Sequence, residues 1–293
     1  MDYLLKSLAF DEQLRIYAVD TTQTVRKAQK IHGTWSAASA ALGRTITATA
    51  LLSQAVLKEK GKLTVKVLGD GPVGAIVVDG NAMGDIKGYL QHPQVHLPLN
   101  KKHKIDVKGA VGERGFLTVT KDLGMKTPFT GQVPLVSGEL GEDFAYYLAK
   151  SEQIPSAVGL SVFVNKDNTI QTAGGFLIQV MPGASEEILS KIEKTLSKMP
   201  SISEMMFKGA TPEKILEEIC GAENFQLLAR EKIKYNCDCS KKRFGYALAS
   251  IAVKDLDEMI KKNHGAEATC QFCGKKYHFT EEELRNLKEG RNN

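Results

Sequence analysis

The amino-acid sequence predicts an α+β protein with a mixed α/β amino-terminal domain over residues 1–182, a helical connector over 183–230 and a small carboxy-terminal four-cysteine zinc module over 231–293. Three observations carry this reading. Strand-like and helix-like stretches are interspersed in the first part without a regular β-α repeat, which favours α+β over a doubly wound sheet. Met181-Pro182-Gly183-Ala184 then punctuates the chain, and helical periodicity takes over beyond it. Finally, four of the five cysteines fall in two tight clusters near the carboxy terminus, Cys237-Asp238-Cys239 and Cys270-Gln271-Phe272-Cys273.

In the first part, Leu14 to Val19, Leu63 to Leu68 and Ala75 to Val78 read as strands. Ser36 to Lys58 is Ala- and Leu-rich, interrupted only by Gly43, and predicts a long helix. Further strands are expected at Asp106 to Val111, Phe116 to Thr120, Val158 to Val164 and Ile170 to Val180, with a helix from Glu142 to Glu152 stopped by Pro155. Gly69-Asp70-Gly71-Pro72-Val73-Gly74 has the letters of a dinucleotide fingerprint, but a strand follows it where a helix N-terminus is required, so a hairpin turn is expected.

In the connector, Ser185 caps a segment with Glu186 and Glu187 in its first turn, and Ile188, Leu189, Ile192 and Leu196 recur on one face. Thr211-Pro212 starts another helix carrying Ile215, Leu216 and Ile219. Met199, Met205, Met206 and Phe207 suit either a core or an adaptable apolar binding surface. Thr280-Glu281-Glu282-Glu283 is a capping box opening a last short helix.

Two pairs of soft thiolates in an otherwise thiol-poor chain suit one tetrahedral Zn2+ per chain, held by Cys237, Cys239, Cys270 and Cys273. A module this small gains from such a staple. Residues i and i+2 of an extended segment point to the same side, so Cys237 and Cys239 can share a metal or, once oxidised, a small-ring disulfide. The site reads as a staple, a redox sensor, or both. His264 and His278 are substitute ligands only if a thiolate is missing. Cys220, at the end of an apolar helical face, reads as a small buried hydrophobe.

The net charge of +5 is spread thinly: residues 231–293 hold 13 Lys and Arg against 10 Asp and Glu, which is +3 and leaves +2 for the rest. That is no basic nucleic-acid-binding domain. Lys241, Lys242, Arg243, Lys275 and Lys276 flank the cysteines, where they offset the charge of a four-thiolate zinc site. His92, His96 and His103 sit in a loop without a nucleophile or carboxylate arrangement, and the chain is read as a binding protein, not an enzyme. Neither a signal peptide nor a bilayer-spanning run is seen, so no membrane association and a cytoplasmic address are expected, where thiols stay reduced.

With Tyr235-Asn236-Cys237-Asp238-Cys239-Ser240 and Cys270-Gln271-Phe272-Cys273-Gly274 in view, the chain resembles the bacterial redox-regulated heat-shock chaperones called 33 kDa chaperonins. The likeness extends to Ala41-Leu42-Gly43-Arg44, Gly69 to Gly74, Gly88-Tyr89, Ser151 to Ser156, and Ala173-Gly174-Gly175-Phe176 with Gln179 and Pro182. The resemblance implies a stress-response holdase independent of ATP, idle when reduced and zinc-bound. It implies activation by oxidation, with disulfides Cys237–Cys239 and Cys270–Cys273, loss of zinc and unfolding of module and connector to expose a surface for unfolded client proteins. The active form it implies is a homodimer. Two rivals stay open: a nucleic-acid-binding zinc module, and a dithiol oxidoreductase using the C-x-x-C pair.

Overall fold

The computed structural model describes residues 1–58 and 60–289, so positions 290–293 of the expected zinc module lie outside the described residues. The elements run β1 (Tyr3–Ala9), β2 (Leu14–Asp20), α1 (Thr22–His32), α2 (Ser36–Val56), β3 (Lys62–Leu68), β4 (Ala75–Asn81), β5 (Asp85–Leu90), α3 (Val107–Val111), β6 (Phe116–Asp122) and β7 (Phe129–Pro134). They continue with α4 (Gly141–Lys150), β8 (Ser156–Val164), β9 (Ile170–Val180), α5 (Glu186–Lys198), α6 (Ile202–Phe207), α7 (Pro212–Cys220), β10 (Phe225–Lys232) and β11 (Lys234–Tyr235). The chain ends with α8 (Lys241–Ser250), α9 (Val253–Lys261), β12 (Gly265–Thr269), β13 (Lys276–Thr280) and α10 (Glu281–Glu289). The class is α+β, and two units form, Met1–Asn236 and the residues from Cys237 onward.

The first unit is built on two sheets, ordered β10-β1-β2-β9-β8 and β11-β5-β4-β3-β6-β7. Helix α2 packs against strands of both. It is buried along nearly its whole length, as expected of a helix with no polar face. Three of its hydroxyls are satisfied inside the helix: Thr45, Thr47 and Thr49 donate to the carbonyls of Ala41, Gly43 and Thr45. Gly43 admits close neighbours, because a Cβ there would lie 2.8 Å from methyl groups of Val25 and Val162.

Strands expected from alternation are found at β2, β3, β4, β6, β8 and β9. The Gly69 to Gly74 segment is the turn between antiparallel β3 and β4, and the Gly71 amide donates to the Val111 carbonyl at 2.9 Å. Asp106 to Val111, expected as a strand, forms α3 instead. Asp106 caps it by accepting from the Gly109 amide at 2.8 Å, and Val107, Ala110 and Val111 are buried at the i, i+3, i+4 spacing of a helix.

Beyond Pro182 come three helices, two of which carry the caps read from sequence, with Ser185 accepting from the Ile188 amide and Thr211 from the Lys214 amide. All three pack within the first unit. Ile192, Met205, Met206, Ile215, Leu216 and Ile219 are buried, and Ile188, Leu189 and Leu196 half-buried, against Leu5, Ile16 and Ile178 of the five-stranded sheet. The methionines 205 and 206 are core, while Phe207 is exposed and stacks on Phe163 with ring centroids 5.2 Å apart. The span 183–230 is not helical throughout. From Phe225 the chain becomes β10, which covers the edge of β1, and the residues after 230 complete both sheets before the cysteines begin.

Candidate metal centre

The second unit has a small core of its own: Leu256, Ile260, Tyr277, Phe279 and Leu284. Its frame is the antiparallel hairpin β12–β13 with helices α8, α9 and α10 around it. Helix α10 starts with the expected capping box, the Glu283 amide donating to Thr280 Oγ1 and the Thr280 amide to Glu283 Oε2.

Both cysteine pairs are held by local backbone geometry. Cys237 and Cys239 lie in the extended lead into α8, which Ser240 caps by accepting from the Arg243 amide. Cys270 and Cys273 occupy the turn between β12 and β13. There the Cys270 amide donates to the Lys275 carbonyl at 2.9 Å and the Gly274 amide to the Cys270 carbonyl at 2.8 Å. Gly274 takes φ +71°, a conformation that disfavours any side chain.

The four sulfurs meet, all within 4.8 Å of one another. Cys237 Sγ lies 3.7 Å from Cys270 Sγ, and Cys239 Sγ 3.4 Å from Cys273 Sγ. Tetrahedral coordination with metal–sulfur bonds of about 2.3 Å places sulfurs about 3.8 Å apart. The four thiols therefore fit one tetrahedral metal ion. Cys270 is buried and the other three are half-buried.

The thiols are not equivalent. Burial pushes Cys237 and Cys273 up. At Cys239 burial works in the same direction but is outweighed by the Tyr277 hydroxyl and the neighbouring sulfurs, which together bring it down to about 7. Tyr277 was not singled out in the sequence. Its hydroxyl stands 3.2 Å from Cys239 Sγ and donates to the Cys239 carbonyl at 2.9 Å.

The flanking cations differ from expectation. Lys241, Arg243 and Lys276 form ion pairs with Glu283, Asp238 and Glu267, while Lys242 and Lys275 lie over the rings of Tyr246 and Tyr277. Carboxylates nearby neutralise much of the charge expected to offset the sulfurs. His264 and His278 are exposed, against Glu281 and Glu267, and neither joins the sulfur cluster. Cys220 lies in the core of the first unit, its thiol pushed up to about 12 by burial, with Lys191 acting weakly the other way. Of the loop histidines, His96 Nδ1 is 2.7 Å from Ser36 Oγ. Among the described residues, no helix is long and apolar enough to cross a membrane.

Comparison with known proteins places this architecture. The family model described as Hsp33 protein matches residues 2–280. The 33 kDa chaperonin of Levilactobacillus brevis is 61% identical over 97% of this chain and 96% of its own length, and that of Latilactobacillus sakei 60% identical over 97% of each. The crystal structure of the Thermotoga maritima 33 kDa chaperonin superposes with a TM-score of 0.90 at 39% identity, covering 99% of this chain and 98% of that one. Carrying a four-cysteine cluster fit for a metal and matching these relatives almost end to end, the chain belongs to the Hsp33 family of chaperones.

Proposed function

We propose that the chain is a redox-regulated, ATP-independent holdase, idle while reduced with one Zn2+ on Cys237, Cys239, Cys270 and Cys273, and active once those cysteines are oxidised. The observation that carries this is the meeting of four thiols in a unit whose apolar core, among the described residues, holds five buried side chains. Structural zinc contributes about 10 to 16 kcal/mol to small modules, whereas whole domains are stable by about 5 to 15 kcal/mol. Removing the ligands therefore outweighs what so small a core supplies.

A bound zinc ion would keep the four sulfurs as thiolates and cross-link the two cysteine pairs. The residues do the rest. A thiolate attacks a peroxide, and the sulfenic acid formed condenses with the adjacent thiol, releasing water. Each disulfide thus consumes one peroxide, two thiols giving one S–S bond and two waters. We assign the disulfides as Cys237–Cys239 and Cys270–Cys273, since short loops close at little entropic cost. Oxidation removes all four ligands, and the unit from Cys237 onward loses its staple.

In this reading residues 1–182 form the chaperone and dimerisation domain of a cytoplasmic homodimer, 183–230 the connector and 231–293 the switch, and the partners are unfolded proteins, not nucleic acid or membrane. The oxidoreductase alternative is disfavoured by the placement of Cys270 and Cys273 in a hairpin turn, whereas a catalytic C-x-x-C opens a helix. The test is aggregation of a chemically unfolded protein with reduced and oxidised samples side by side. Suppression by the oxidised sample alone supports the reading, and equal suppression by both refutes it.

A further inference from the structure

A cleft of about 960 Å³ opens in the first unit beside β8, the strand that ends the five-stranded sheet. Cavities that enclose ligands run from about 300 to 1,000 Å³. Seven successive residues line the cleft: Leu160 to Val164 of β8, then Asn165 and Lys166. Neighbouring side chains of a strand point to opposite faces, so a cleft lined by both sets runs along the strand's edge. An end strand offers its outer row of N–H and C=O groups to any extended chain lying alongside.

Apolar side chains elsewhere in the lining include Leu97, Ile105, Val107 and Ile202. Arg44 also lines the cleft, but its guanidinium is turned to Glu139, donating to Oε2 at 2.6 Å and to the main-chain oxygen at 2.9 Å. Lys104 and Lys166, both exposed, stand in the lining, which among the described residues contains no carboxylate. The cleft thus combines an end strand, apolar lining residues and the exposed cations Lys104 and Lys166, with Glu204 acting on Lys104 from beside the lining.

We propose that this cleft docks an extended, apolar polypeptide segment flanked by carboxylates, added along β8 as a further strand. The proposal deepens the holdase reading and rests on it for the occupant. An unfolded client exposes both the apolar side chains that the apolar lining would cover and the backbone groups that β8 would pair.

The test uses the oxidised full-length chain and a fluorescent peptide of alternating Val and Thr with Glu at both ends. Two control peptides carry N-methyl groups on alternate amides, or Lys in place of the terminal Glu. Each change should weaken binding by about tenfold, as loss of two or so hydrogen bonds or charge contacts does. The exposed pair Lys104→Glu and Lys166→Glu should reverse the preference between Glu and Lys ends. Equal binding of the N-methylated peptide overturns strand addition, and an unchanged end preference in the double variant places the peptide elsewhere. A dimer that the double variant splits, with peptide binding unaffected, assigns the edge to a second copy and likewise overturns the proposal. Aggregation suppression measured in parallel separates the two claims. If oxidation switches suppression on while the peptide fails these tests, the holdase reading stands and the cleft falls. If the peptide passes while oxidation changes nothing, the reverse holds.

Discussion

The Tyr277 hydroxyl and the Cys239 sulfur lie 3.2 Å apart, while the same hydroxyl donates to the Cys239 carbonyl at 2.9 Å. The Tyr277 ring is buried in the module core and packs on Phe244 at 5.2 Å between centroids. One side chain thus joins the sulfur cluster to the apolar core. Its phenol is pushed up to about 12, first by the hydrogen bond to Cys239 and then by burial, so it stays protonated and able to donate.

This relationship predicts that Tyr277 supports the metal site of the reduced protein. Tyr277→Phe keeps the ring and removes the hydroxyl that meets Cys239 at its carbonyl and sulfur, so it should lower metal affinity by roughly tenfold or more. Unchanged zinc affinity, read by competition with a chelating dye, would separate Tyr277 from the sulfur.

Metal content should divide the five cysteines four to one. Serine at Cys237, Cys239, Cys270 or Cys273 is expected to lower zinc retention below one per chain. Cys220→Ser should retain zinc in full, although placing a hydroxyl in an apolar core costs about 1 to 3 kcal/mol of stability. Equal zinc loss in the Cys220 variant contradicts the assignment.

Disulfide mapping offers a stringent test, because proximity in the reduced state does not choose the pairing. The sulfur contacts of 3.7 and 3.4 Å run between the clusters, Cys237 with Cys270 and Cys239 with Cys273. Loop closure favours Cys237–Cys239 and Cys270–Cys273 once the module loosens. Peptides from fully oxidised protein should carry these short-range links, and a majority of links between the clusters would refute them.

The legible features were the local ones. The ligand set shows in the sequence because each cysteine pair is a short motif, and the caps at Ser185, Thr211 and Thr280 because each acts within three residues. Tyr277 was not legible: it reaches Cys239 only because the β12–β13 hairpin returns the chain to the start of α8, across 38 positions. Its nearest local signal was four residues' distance from Cys273. The strand expected at Asp106 to Val111 became a helix because the Asp106 cap and the spacing of its apolar residues acted together. Strand β10 is not legible in the sequence, since its partner β1 lies at the other end of the chain.

The connector helices should respond to oxidation unequally. In α5 only Ile192 is buried, whereas α7 buries Pro212, Ile215, Leu216, Ile219 and Cys220. Each fully buried Leu or Ile contributes roughly 1.5 to 3 kcal/mol, and a short helix has little stability without such packing. Hydrogen exchange should therefore rise on oxidation in Glu186 to Lys198 well before Pro212 to Cys220, and reverse on reduction with zinc. Unchanged protection in α5 while aggregation suppression switches on would place the client surface elsewhere.

The central claim, that loss of the thiolate centre turns the chaperone on, is tested most directly by titrating the reduced, zinc-loaded protein with peroxide. Zinc release, followed with a chelating dye, and suppression of light scattering from an aggregating protein are read on the same samples. The account predicts that both rise together to one zinc per chain and two peroxides consumed, and that dithiol with added zinc returns both to the start. Full suppression before any zinc is released, or complete release with no gain in suppression, would contradict it.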